Sequence, residues 1–164
     1  MENAATGEGV LIDCGICKRD FFARAEEAGF DLGRLRAVVI THDHGDHTKG
    51  LGVVLRGLAK AGARPAVHAS EAVFAASAPL RDAVASVGAA FEPFGGGDVL
   101  EAAGLAVRPF RTSHDAADSY GFRFDEAGGD RDSLGYMTDT GIVTDKAWEA
   151  LSGVRLLALE SNHD

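Results

Sequence analysis

The chain is short of sulfur, of long apolar runs and of basic charge, and each shortage removes a class of protein. Two cysteines in 164 residues, Cys14 and Cys17, are too few for the disulfide framework of small secreted domains. No apolar stretch approaches the roughly 18–20 residues of a membrane-spanning helix. No basic start followed by an apolar signal region opens the sequence. Together these predict a cytoplasmic protein. Lysine and arginine number 16 against 25 aspartates and glutamates, a formal net charge of −9. Such a charge repels polyanions at long range and argues mildly against nucleic acid. Gly95-Gly96-Gly97 lacks the Lys-Ser/Thr and the following helix of a phosphate-binding loop, which leaves it a turn. There is no internal repeat or linker, so the length predicts a single domain over residues 1–164, with a poorly ordered segment at 1–9.

Histidine is scarce too, six in all, yet three of the six lie within Thr41-His42-Asp43-His44-Gly45-Asp46-His47. Arg36 to Ile40 before it is an apolar β-branched run that reads as a buried strand. Leu51, Val53, Val54, Leu55 and Leu58 after it read as one face of a helix over about 48–61. The cluster therefore sits on a loop at the carboxyl end of a strand, where open α/β sheets place their ligands. In extended chain alternate residues share a face, so His42 and His44 can address one point. Asp46 and His47 are adjacent and diverge, reaching a second point close by. Imidazole suits zinc, iron, nickel or copper, and a carboxylate adds a hard oxygen ligand. Two metals about 3.5–4 Å apart are a known arrangement for activating water and stabilising a leaving oxygen. They would also add four positive charges where a phosphate docks, which offsets the acidic composition.

The remaining elements follow from pattern. Val10-Leu11-Ile12, Pro65 to His68, Leu105 to Arg111, Tyr120 to Phe124 and Ser133 to Met137 read as strands. Residues 70–88 read as one or two helices around Pro79. Thr144 caps a short helix holding Trp148 and Leu151, and the apolar run Val154 to Leu159 reads as a buried strand. His114 and Asp139 each end a strand, as the heptad does; alone, Asp139 reads as a turn former. His163 follows the last apolar run and is placed to donate a proton to a leaving group or to orient a phosphate. Asp115 and Asp118 are candidates to support metal-bound imidazoles, and Arg108 and Arg111 to contact an anion. Cys14-Gly15-Ile16-Cys17 has redox spacing and could be half of a zinc site, but without a second Cys pair it reads as two small thiols. His68, isolated, reads as structural.

The heptad resembles the metal-binding signature of the metallo-β-lactamase superfamily, His-x-His-x-Asp-His after a strand. Leu11-Ile12-Asp13-Cys14-Gly15, Ser113 to Asp118, Thr138-Asp139-Thr140-Gly141 and Glu160-Ser161-Asn162-His163-Asp164 extend the likeness. It is greatest to the YycJ/WalJ group of exonucleases. The resemblance implies an α/β fold: two packed β-sheets with outer helices in an αββα sandwich, here incomplete. It implies that His42, His44 and His114 hold one divalent metal and that Asp139 bridges it to a second, held by Asp46 and His47. One or two metals per chain are expected, zinc first, manganese or iron as alternatives. A bridging water would hydrolyse a phosphodiester, in nucleic acid or a small molecule, with Asp46 and His163 as candidate catalytic residues. Two alternatives stand beside this: a small ester, lactone or thioester on the same centre, or a metal-binding fragment without catalysis. Longer family members begin with further strands and supply another histidine beyond Glu160-Ser161-Asn162-His163-Asp164, so the resemblance implies a chain shortened at both ends.

Overall fold

The computed structural model describes residues 1–126 and 132–160. Among these, nine strands form two sheets. In the first, β1 (Gly9–Ile12), β2 (Leu35–Val39), β3 (Ala66–Ala69) and β4 (Phe91–Pro93) lie side by side and parallel. Parallel neighbours need crossover connections, and helices supply them. These are α1 (Lys18–Glu27), then α2 (Gly45–Thr48) with α3 (Leu51–Lys60), then α4 (Glu71–Ala76) with α5 (Ala78–Val87). The second sheet is antiparallel through β5 (Leu100–Ala102), β6 (Leu105–Arg111), β7 (Tyr120–Glu126) and β8 (Ser133–Met137). After α6 (Asp145–Leu151) the chain returns as β9 (Leu156–Leu159), parallel to β8 at the sheet edge.

Strand alternation splits the core. Val38 and Val67 face the helices and pack with Leu51, Val54, Leu55, Leu58 and Leu80. Their neighbours Val10, Ala37 and Val39 face the second sheet and meet Leu105, Val107, Phe122 and Phe124. From Ala37 to Val39 β2 is apolar on both faces because both are covered, whereas Arg36 near its start is exposed. On the far face of the second sheet, Ala147 of α6 packs on Phe110 and Met137. Helices, two sheets and a helix give the α/β sandwich that the sequence predicts.

Three expectations are corrected. Residues 1–9 are held in place. The Met1 ammonium donates to the Val10 carbonyl at 2.8 Å, Glu2 bridges Gly9, and the buried Asn3 donates through Nδ2 to the Ala103 carbonyl at 2.9 Å. The segment folds back on the open edge of β1 and satisfies backbone groups that an edge strand leaves bare. The heptad is not all loop: its last residues form α2, and the helix expected at about 48–61 follows as α3, from Leu51. The chain bends at Gly50, whose N–H donates to the Cys14 carbonyl and where a Cβ would lie 2.0 Å from the Ile16 oxygen. Finally, β9 is shorter than the apolar run and is not buried: Leu156 is 64 %, Leu157 48 % and Leu159 46 % exposed. An apolar run marks a strand without saying whether anything covers it.

Candidate metal centre

The heptad leaves β2 at its carboxyl end, and hydrogen bonds fix its path. Asp13, at the end of the neighbouring β1, has a left-handed backbone (φ 56°). That conformation is strained for a non-glycine residue and is kept only where the surroundings enforce it. It turns the carboxylate toward Thr41: Oδ1 accepts the Thr41 amide at 2.8 Å and Oδ2 accepts the Thr41 hydroxyl at 2.7 Å. Behind the loop, the Cys14 N–H donates to the His47 carbonyl at 2.7 Å. Gly15 lies so close that a Cβ there would stand 1.3 Å from the Asp46 carbonyl oxygen. The Cys-Gly-x-Cys segment thus acts as a backbone brace. Cys14 is buried, its thiol pushed up to about 12 chiefly by burial, and Cys17 is exposed. Neither thiol has the features of a reactive site.

Three of the four imidazoles, His42, His44 and His47, are oriented by an oxygen hydrogen-bonded to the outer nitrogen. The Thr41 hydroxyl gives its one hydrogen to Asp13, so it accepts from Nδ1 of His42 (2.9 Å), which leaves the Nε2 lone pair facing inward. His47 donates from Nδ1 to the Asp13 carboxylate at 2.8 Å and presents Nε2 to Asp139 Oδ2, 2.9 Å away. His44 donates from Nε2 to the Asp115 carbonyl at 3.2 Å and turns Nδ1 inward. His114 has Nδ1 3.3 Å from Asp115 Oδ1 and Nε2 3.2 Å from His44 Nδ1. Asp139 lies two residues past β8, again with a left-handed backbone (φ 47°), its amide donating to the Glu160 carboxylate.

Two sets of ligand atoms therefore converge, each within 4.8 Å: His42, His44 and His114 in one, and His42, His47 and Asp139 in the other. The fit to a cation follows from the donors. Nε2 of His42 is buried and has no hydrogen-bond partner. A buried polar atom without a partner is costly, and inward lone pairs on neighbouring imidazoles repel. Burial, then the charge of His47, holds His42 down to about 4, so at neutral pH it is the neutral ligand form. His47 is raised, mainly by its hydrogen bond to Asp13. On a zinc ion with bonds of about 2.0–2.1 Å, tetrahedral nitrogens sit about 3.3 Å apart. The 3.2 Å between His114 and His44 matches.

Five of the six expected ligands thus meet. Asp46 stands at the rim, 72 % exposed, with Oδ2 3.7 Å from Nε2 of His47. His163 lies outside the described residues. Asp115 supports His44 and His114 as expected, but Asp118 does not. It accepts from Arg111 and from the Tyr120 hydroxyl instead. Arg108 is likewise paired with Asp125. Buried His68 is not part of either converging set. Asp13 is the functional residue that pattern reading missed. Its partners are 28 and 34 residues away, and a strand-end Asp ordinarily reads as a turn.

The family model for the β-lactamase superfamily domain matches residues 9–163. The chain belongs to that superfamily. An exodeoxyribonuclease YycJ from Bacillus anthracis is 31% identical over 155 residues, 94% of this chain and 55% of that protein. An exodeoxyribonuclease WalJ from Streptococcus pneumoniae is 29% identical over 158 residues, with the same coverage of 94% and 55%. The chain spans about half the length of these relatives. Among solved structures, a diphosphatase of the PhnP family superposes with a TM-score of 0.65 at 28% identity, over 92% of this chain and 55% of that one. The short form of human tRNase Z shares the fold, with a TM-score of 0.67 at 18% identity, over 92% of this chain and 66% of that one.

Proposed function

We propose that the protein is a metal-dependent phosphodiesterase acting on nucleic acid. The observation that carries the reading is the buried, unpartnered Nε2 of His42 at the meeting point of two ligand sets. His42, His44 and His114 would hold one divalent cation. Asp139 and His47, with Asp46 at the rim, would hold a second. Such cations supply Lewis acidity: they neutralise phosphodiester charge and make water nucleophilic near neutral pH. The chain's own residues keep the ligands ready. Asp13 holds His47 directly and His42 through Thr41, and Asp115 holds His44 and His114. Asp46, its carboxyl below the usual range through its own backbone amide, is ionised at the rim and able to orient water. His163 is proposed as the proton donor to the leaving oxygen. The exonuclease names of the relatives support a nucleic-acid substrate, and zinc is the first metal to test, with manganese and iron next.

A second reading, a small phosphodiester, is favoured by the acidic surroundings. Arg108 and Arg111 are already paired with Asp125 and Asp118, and Asp46 and Asp115 stand at the rim. A long polyanion would meet those charges, whereas a small substrate would not. Elemental analysis joined to assays on a DNA duplex and a chromogenic phosphodiester tests both readings. Bound metal with turnover of DNA supports the first, and turnover of the small substrate alone the second. Metal without hydrolysis of either would refute the proposed activity.

A further inference from the structure

His114 is the member of the three-histidine set that comes from the second sheet, and its loop has to be brought to the heptad. It stands on the stretch 112–119 between β6 and β7, 70 residues beyond His44. The loop is closed at its base. The Thr112 amide donates to the Ser119 carbonyl at 3.0 Å, their hydroxyls lie 2.7 Å apart, and buried Asp118 accepts from Arg111 and the Tyr120 hydroxyl. On one flank the Ser113 amide donates to Thr140 Oγ1 at 3.3 Å and the Ser113 carbonyl accepts the Gly141 amide at 2.9 Å, which ties it to the loop of Asp139. On the other flank Asp43 Oδ1 accepts the Ala117 amide at 2.9 Å, and His44 Nε2 donates to the Asp115 carbonyl at 3.2 Å. Two neighbouring residues of the heptad thus hold alternate residues of the His114 loop.

We propose that Asp43 is a positioning residue: its carboxylate clamps the His114 loop to the heptad, so that three imidazoles stand in ligand array before a cation arrives. The inference rests on the reading of His42, His44 and His114 as a metal site. Asp43 itself contributes to neither set of converging ligand atoms. The rings of His42, His44 and His114 have centroids 4.7, 4.7 and 4.8 Å apart, with inward lone pairs that repel in the absence of a cation. Something other than the rings must therefore hold the two loops together. The His44 bond is lost if that ring turns, whereas the Asp43 bond is independent of ring rotation. A carboxylate accepting an amide is also a charge-assisted bond, stronger than a neutral one. Asp115, whose Oδ1 lies 3.3 Å from His114 Nδ1, is on the same short span as Ala117. Releasing Ala117 would loosen both the loop that bears His114 and the carboxylate that faces its ring. The cost of ordering them would then fall on metal binding.

The test uses the whole 164-residue chain. Zinc affinity is measured by competition with a chromogenic chelator, and amide exchange by mass spectrometry on the metal-free protein. Asp43→Ala should weaken the tight site about 10–100-fold, the usual effect of losing a group that orients a ligand. It should also quicken exchange over residues 113–117 and leave the strands as they were. Asp43→Asn keeps a carbonyl oxygen for the Ala117 amide and should restore most of the affinity and the protection. If asparagine proved as weak as alanine, charge rather than the bond would be responsible, and the proposal would be overturned. Asp43→Ser ends one atom short of the amide and should behave as Asp43→Ala; it takes that variant's place should alanine not fold. Zinc bound equally by the wild type and these short variants would overturn the clamp and leave the metal site standing. No zinc bound by the wild type would overturn the metal reading, and the clamp with it.

Discussion

The Asp13 carboxylate sits 2.8 Å from Nδ1 of His47, thirty-four residues along the chain, and the same oxygen accepts the Thr41 hydroxyl at 2.7 Å. One carboxylate therefore sets the inward nitrogen of His47 directly and that of His42 through Thr41. Removing it should weaken metal binding about 10–100-fold, the usual effect of losing a group that orients a ligand. Asp13→Asn should fare little better, because its amide nitrogen is a donor and Nδ1–H of His47 needs an acceptor. Zinc titration calorimetry on both variants decides this; wild-type affinity in either would show that the imidazoles orient themselves.

Gly15→Ala should separate the brace from the heptad, since the new Cβ would meet the Asp46 carbonyl at 1.3 Å. We expect a loss of about 3 kcal/mol or more of stability, on the scale of severe steric misfits, together with loss of metal binding. Gly45→Ala is the matched control: nothing lies within 4 Å of its Cβ and it opens α2. Its melting temperature should stay level or rise slightly. Equal effects of the two substitutions would dismiss close packing as the cause.

Metal-free protein should lose stability as pH falls from 6.5 toward 4. His42 titrates at about 4 in the fold against an ordinary 6.5, so its neutral form is the one that folding favours. That contribution is complete above pH 6.5 and declines as the unfolded chain takes up the proton first. His47 acts in the opposite sense: raised by Asp13, its protonated form favours the fold at low pH, and that contribution fades as pH rises through its raised value. In thermal melts of apo protein, His42→Gln should flatten the acid limb between pH 6.5 and 4. An unchanged limb would assign acid sensitivity to other groups.

Metal titration should resolve one tight and one weak site. The tight one has three imidazoles, whereas the other has His47, Asp139 and the rim carboxylate of Asp46. Asp139→Ala should remove the weak site and the hydrolysis that depends on it, with little change in the apo melting temperature. A large apo destabilisation would instead make Asp139, with its left-handed backbone, chiefly a turn residue.

Cys17→Ser should leave folding and hydrolysis unaltered, because the thiol is exposed. Cys14→Ser should preserve hydrolysis but lower stability by about 1–3 kcal/mol through a buried hydroxyl. Turnover of a disulfide substrate by the wild type would reopen a redox role for the pair.

The heptad was legible in the sequence because it is local: three histidines and two aspartates in seven residues after an apolar strand. His114 and Asp139, far along the chain, were joined to it only by the family resemblance, since a strand-end Asp alone reads as a turn former. The supports were not legible, because they are long-range. Nothing near Asp13 announces Thr41 or His47, and the glycine of Cys-Gly-x-Cys shows its purpose only when the Asp46 carbonyl is seen against it. Asp118 was misjudged for the same reason: its charge is taken by Arg111, which faces it across the hairpin. Burial of β9 was misread because periodicity reports what a strand offers, not what neighbours it has.

The strand ends that carry the ligands belong to different sheets. Asp13 and the heptad leave the first, and His114 and Asp139 leave the second. A cation held among them would rivet the two layers at one end, while apolar contact, with the Asn3–Ala103 hydrogen bond, holds the rest. Binding energy there is folding energy. Chelation should then loosen the molecule unevenly, with amide exchange quickening first in the loops between the sheets at the ligand end and last around Phe122 and Phe124, where the layers are held by packing.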